Sequence, residues 1–229
     1  MPLIVLLLAV AFAASPLWVP GFGGFDADQF PVPQIDPPVQ PKGYAFAIWG
    51  VIYLWLIVGA GFGLWKRRTA PEWMAMRLPL ALSLAGGAVW LPVAVRSPVW
   101  ATVLIWVMLI TAIWALWRAP RTDAWAAAWP VGLYAGWLSA ASCVAIGLLL
   151  AGYGVLEQGP AAWIMVSVAI ALAWAVQWSL GHAPTYGIAV IWALVAIAFQ
   201  NSFAGVGLLA LAGGAALISP TLRAARASS

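Results

Sequence analysis

An all-α integral membrane bundle is the fold this sequence predicts, and three observations carry the prediction. The mean hydropathy is +0.99. The chain is 65% hydrophobic and 7% charged, whereas a soluble domain carries about a quarter charged residues. Apolar runs of roughly 20 residues, each long enough to cross a hydrocarbon core of about 30 Å, recur along all 229 residues. Seventeen tryptophans add a further signal. Two interfacial belts do not need so many rings. Those placed mid-helix have flat faces free to stack on a flat apolar ligand.

Eight apolar segments follow in order: 3–16, 44–65, 78–95, 99–117, 125–151, 161–180, 185–200 and 202–219. The first contains Ala11-Phe12-Ala13, which resembles a signal-peptidase site, but it has no basic residues before it. A retained helix is therefore expected. Loop 17–43 separates it from the second segment. Pro20, Pro31, Pro33, Pro37, Pro38 and Pro41 keep this loop out of helix, and Phe22, Phe25 and Phe30 give it apolar weight. A loop this long in a compact bundle reads as a lid or binding loop.

In the second segment Phe46, Trp49 and Tyr53 are spaced i, i+3, i+7 and share one face. Tyr44 stands at its outer end, with Trp49 about 7 Å below it. The third segment carries Trp90-Leu91-Pro92 at a similar depth. The fifth carries Tyr134 and Trp137, again i, i+3. It also holds a stripe of Ser139, Ser142 and Cys143, where a hydroxyl either bonds the backbone one turn back or offers a polar contact to a ligand. Cys143 is the single cysteine, so no internal disulfide forms, and it reads as a small core residue. Gly59/Gly63 and Gly132/Gly136 form small-residue seams that serve either the bundle or a homodimer. The last two segments are short, which leaves seven or eight crossings open. His182, in the turn between segments six and seven, is expected to be solvated. Trp18, Trp65, Trp73, Trp100, Trp117, Trp125, Trp129, Trp163 and Trp178 fall near segment ends and read as interfacial anchors.

Orientation follows from the basic residues. Lys66, Arg67, Arg68, Arg77, Arg118, Arg121, Arg223 and Arg226 fall on one side and only Lys42 and Arg96 on the other. Eight crossings with both termini cytoplasmic satisfy this asymmetry. The formal charge of +4 is thus a topology signal. It is not the basic stripe of a nucleic-acid partner. No ionisable residue is read well inside a segment, which argues against an ion-coupled pump. No nucleophile–base set, phosphate loop or metal-ligand spacing is evident.

These residues resemble the TspO/MBR family, the translocator or tryptophan-rich sensory proteins. The run Pro41…Phe46…Trp49-Gly50…Tyr53 is similar to the start of that family's second helix. Trp90-Leu91-Pro92 resembles its Trp-x-Pro motif, and Tyr134-Ala135-Gly136-Trp137 its Tyr-Leu-x-Trp motif. The resemblance implies a five-helix unit over 1–151. Residues 152–229 then form an extension of about three transmembrane helices, like that of longer bacterial members, with a short tail. The chain departs from the family pattern at Gly87 and Ala145, where members usually carry asparagine. The phenylalanine of the second segment is displaced by one, and the loop lacks a tryptophan pair.

The resemblance implies a pocket under loop 17–43 that takes a porphyrin, haem-like tetrapyrrole or sterol-like lipid. No cofactor is required. The expected ligand-binding residues are Tyr44, Phe46, Trp49, Tyr53, Trp90, Pro92, Tyr134, Trp137 and Ser139. The leading expectation is a receptor or carrier in a bacterial inner membrane, its partners being membrane lipids and the hydrophobic ligand. Light-dependent porphyrin breakdown and a structural role in a larger membrane complex stand as alternatives. Packing of large rings between helices is the plainer account of the same aromatic pattern.

Overall fold

The computed structural model describes residues 1–19 and 23–227, and these form helices and connecting turns with no strand. Pro20 and Phe22 of the expected lid lie outside the described residues. Helix α1 (Pro2–Ala14) continues through a 3-10 turn at Ser15–Leu17. A 3-10 stretch at Gly43–Ala47 leads into α2 (Ile48–Trp65). Then follow α3 (Pro71–Ala94), α4 (Pro98–Trp117), α5 (Ala128–Gly152), α6 (Gln158–Leu180), α7 (Thr185–Gln200) and α8 (Val206–Arg226). By length and composition, α2 with its lead-in, α3, α4, α5, α6 and α8 can each cross a membrane, while α1 and α7 are shorter apolar helices.

Local signals set the helix ends. Prolines open α1, α3 and α4, where a missing N–H costs nothing. The Ser97 hydroxyl caps α4 by accepting the Trp100 N–H at 3.3 Å. Gly181 closes α6 in the left-handed region, φ +59°. Helix α3 begins at Pro71, well before the apolar run starts at 78. Pro71 and Glu72 make a sound first turn, so the helix begins in polar sequence.

Helix α5 is the centre of the bundle and packs against α2, α4, α6 and α7. Its small residues make this possible. A side chain at Gly136 would collide with the Tyr186 carbonyl oxygen of α7. The Gly132/Gly136 seam therefore seats α7 inside this chain. The Gly59/Gly63 seam likewise faces Ala126 and Trp73 of the same chain. Helices α6 and α7 both pack on α5 and on α8, so the last three helices are joined to the first five along a broad front.

The loop after α1 is tied down at several points. The Val32 N–H donates to the Gly152 carbonyl at 2.9 Å and the Lys42 N–H to the Ala196 carbonyl at 3.1 Å. The Gln29 amide donates to the Ala94 carbonyl at 3.0 Å, and the Asn201 amide to the Pro38 carbonyl at 2.8 Å. Phe30 and Val39 are buried against Gly152 and Gly147 of α5. The loop is thus a fitted cover over the ends of α3, α5 and α7.

Three expectations are corrected here. Arg77 lies inside α3, not in a loop, and is only 4% exposed. It donates to the carbonyls of Gly63, Arg67 and Arg68, satisfying backbone acceptors at and just beyond the end of α2. His182 is buried, not solvated, because the turn folds its ring back until Nδ1 lies 2.6 Å from the Leu180 carbonyl. Trp73 is buried against Phe62 and Gly63, because the early start of α3 carries it beside α2. Trp18, Trp65, Trp100 and Trp117 are exposed near helix ends, as boundary residues would be.

Candidate functional site

The site is built from rings on α2, α3 and α5, with α1 and the loop closing it. Trp49 and Tyr53, one turn apart on α2, stack with centroids 5.3 Å apart and planes 20° from parallel. Trp137 of α5 meets Trp49 edge-on at 6.2 Å and Phe46 edge-on at 5.7 Å. The Trp90 indole N–H donates to the Ala101 carbonyl of α4 at 2.9 Å, which fixes the ring as a wall. From the loop, Phe25 approaches Trp90 at 6.2 Å.

These rings surround a cavity with two lobes. The larger, about 250 Å³, is bounded by Trp49, Tyr53, Trp90 and Trp137, with Phe12 and Pro16 from the chain start and Met108 from α4. The smaller, about 60 Å³, lies beneath Phe25, Gln40 and Pro41 of the loop and is closed on the side by Ala145 of α5 and Ala193 of α7. Phe46, Trp90, Ile105, Trp137 and Ala141 line both lobes, so the two are neighbours across one shared wall. Among the described residues no charged side chain lines either lobe. Such a space favours a flat apolar guest held by ring contacts and area burial.

Of the expected site residues, Phe46, Trp49, Tyr53, Trp90 and Trp137 line the cavity. Tyr134 stands behind the wall. It is fully buried, touching Phe12 and Trp49. The Ser83 hydroxyl donates to the Met108 carbonyl at 2.7 Å, so Tyr134 donates to Ser83 at 2.9 Å.

Tyr44, Pro92 and Ser139 lie elsewhere, and the reason is geometric. Each is two residues from a cavity ring: Phe46, Trp90 and Trp137 respectively. On an α-helix two residues turn the side chain by about 200°, and in a 3-10 stretch by about 240°. Tyr44 therefore packs outward on Trp192 and Phe199 of α7. Pro92 lines a groove on the outside of α3 and α4. Ser139 faces α7, donating to the Ala135 carbonyl at 2.9 Å and accepting from the Tyr186 hydroxyl at 2.8 Å. Ser142 lies 3.5 Å from the Ile105 carbonyl of α4, a helix-packing contact.

Sequence reasoning missed Phe12, Gln40, Met108 and Ala193, and it named Phe25 only as part of the loop cover. They reach the cavity only through tertiary packing, and no spacing within their own segments marks them. Gly87 and Ala145 now have distinct meanings. At Gly87 a Cβ would stand 2.7 Å from the Phe12 ring, so Phe12 fills the volume a larger residue would take. Ala145 instead leaves the smaller lobe with an apolar wall.

The architecture and cavity define a helical membrane protein with an aromatic pocket whose smaller lobe lies beneath a loop. The family model described as TSPO-like protein matches residues 29–222, and the chain belongs to that family. It is an integral membrane protein of a family with a general sensing or ligand-binding role. No curated protein and no solved structure matches the chain.

Proposed function

We propose that this protein is a membrane receptor or carrier for a flat hydrophobic ligand, a tetrapyrrole by preference, bound in the two-lobed aromatic cavity. The observation that supports this most is the meeting of Trp49, Trp90 and Trp137 from three helices around one uncharged space. The organisation into a 1–151 unit and a 152–229 extension fits this reading with one addition. Helix α7 supplies Ala193 to the cavity wall and anchors the loop, so the extension shares in the site. The charge asymmetry supports cytoplasmic termini, and a bacterial inner membrane is part of the same proposal.

Size sets a condition on this reading. A cavity of about 150 Å³ holds benzene, so the two lobes as they stand suit two or three fused rings. A tetrapyrrole is larger and fits only if the loop over the smaller lobe moves aside and widens the space. Ligand binding is thus coupled to loop movement. The test is a porphyrin titration followed by tryptophan fluorescence in the wild type and in a Trp49→Ala, Trp137→Ala double variant. Saturable quenching that the double variant loses supports the proposal. Absence of quenching, or equal quenching in both proteins, removes it.

A further inference from the structure

A second concavity lies on the outside of the bundle, at the same end as the loop. There α3 and α4 leave an open groove of about 500 Å³. Its walls are Pro92 and Val93 of α3 and Val103, Leu104 and Val107 of α4. Pro92 has no N–H to close the helix ladder, and it lines the groove. Val103 and Val107, one turn apart, are about half exposed on a helix able to cross a membrane. The groove and the cavity are separate. Trp90, Leu91, Ile105 and Met108 face the cavity, while the groove occupies the opposite side of the same helix pair.

Arg96 closes the loop-side end of this groove. Its Nη1 donates to the Pro92 carbonyl at 3.1 Å, which holds the guanidinium over the groove head. Asp26 and Asp28 shortly precede Gln29, which bonds the nearby Ala94 carbonyl, yet neither forms an ion pair with Arg96 among the described residues. Trp100, 67% exposed, stands beside it as an interfacial ring. An apolar channel headed by an unneutralised cation and an indole matches the build of a lipid, with a chain below and an anion at the boundary.

We propose that this groove binds a phospholipid with an anionic headgroup, one acyl chain lying along Val103 and Val107 and the phosphate on Arg96. The test uses the full-length protein in mixed micelles containing equal phosphatidylglycerol and phosphatidylcholine, with retained lipid read by native mass spectrometry. The wild type should retain the phosphatidylglycerol about fivefold over the phosphatidylcholine, the scale of one basic residue at a headgroup. Arg96→Gln should level the two, and Arg96→Lys should keep the preference. Val103→Trp, which fills the groove from an exposed position, should release both lipids with the thermal midpoint unchanged. Equal retention in the wild type, unchanged retention in Arg96→Gln or in Val103→Trp, or displacement of the lipid by inorganic phosphate at matched ionic strength would overturn the proposal.

Discussion

The ring of Phe12 occupies the volume that a side chain at position 87 would need: a Cβ on Gly87 would stand 2.7 Å from Phe12. The same ring meets Trp49, Tyr53 and Tyr134 edge-on, at 5.6, 5.0 and 5.6 Å. One pair of residues thus joins α1 to α3 and shapes the larger lobe. Gly87→Ala should destabilise the protein by about 1–3 kcal/mol, the usual cost of overpacking. In a Phe12→Ala background the same change should cost much less. Thermal midpoints of the four proteins in detergent give the coupling. Additive effects would mean the two positions do not share this volume.

Tyr134→Phe separates wall from backing. The hydroxyl is spent on Ser83, behind the cavity. Its loss should lower stability by about 1 kcal/mol and leave porphyrin affinity unchanged. An affinity loss without a stability loss would place the hydroxyl on the ligand instead.

The loop cover depends on α7. Asn201→Ala removes the bond to the Pro38 carbonyl. Losing about 1 kcal/mol should raise amide exchange about fivefold at Lys42, whose N–H is held by Ala196. Porphyrin association should quicken in the same variant, because the cover opens more often. Exchange and binding rates equal to wild type would show that α7 does not govern the cover.

The aromatic convergence was legible in the sequence because Trp49 with Tyr53 and Tyr134 with Trp137 are spaced at one helical turn. Spacing told which rings share a face but not where that face ends. Tyr44 stands at the outer end of its segment, Pro92 belongs to the Trp-x-Pro motif and Ser139 to a polar stripe, but a half-turn of rotation sends each away from the cavity. Phe12 and Ala193 could not be read, because they arrive from remote helices. Arg77 reads as a loop charge in the sequence, but α3 starts early and turns it onto the end of α2. His182 gave no sequence sign of burial, which is set by a turn with positive φ at Gly181 and Ala183.

A pH dependence follows from the ion pair between Arg67 and Asp123, which joins the α2–α3 and α4–α5 connections at 2.6 and 3.1 Å. The hydrogen bond from Arg67 holds the Asp123 carboxyl below its ordinary value. A lowered folded-state pKa stabilises above the unfolded value of about 3.9, and that contribution fades as pH falls through the lower folded value. Asp123→Asn should therefore melt earlier than wild type at pH 7 and alongside it in strong acid. A gap that persists unchanged at low pH would assign the effect to something other than this carboxylate.

The central claim is that the space between α2, α3 and α5 receives the ligand, and Ala141, which lines both lobes, tests it most directly. Porphyrin affinity of Ala141→Trp, measured by fluorescence titration beside its thermal midpoint, is the decisive measurement. Saturable binding should disappear in a protein that remains folded, because the indole takes the ligand's place. Wild-type affinity in the folded variant would contradict the account and put the ligand elsewhere on the molecule.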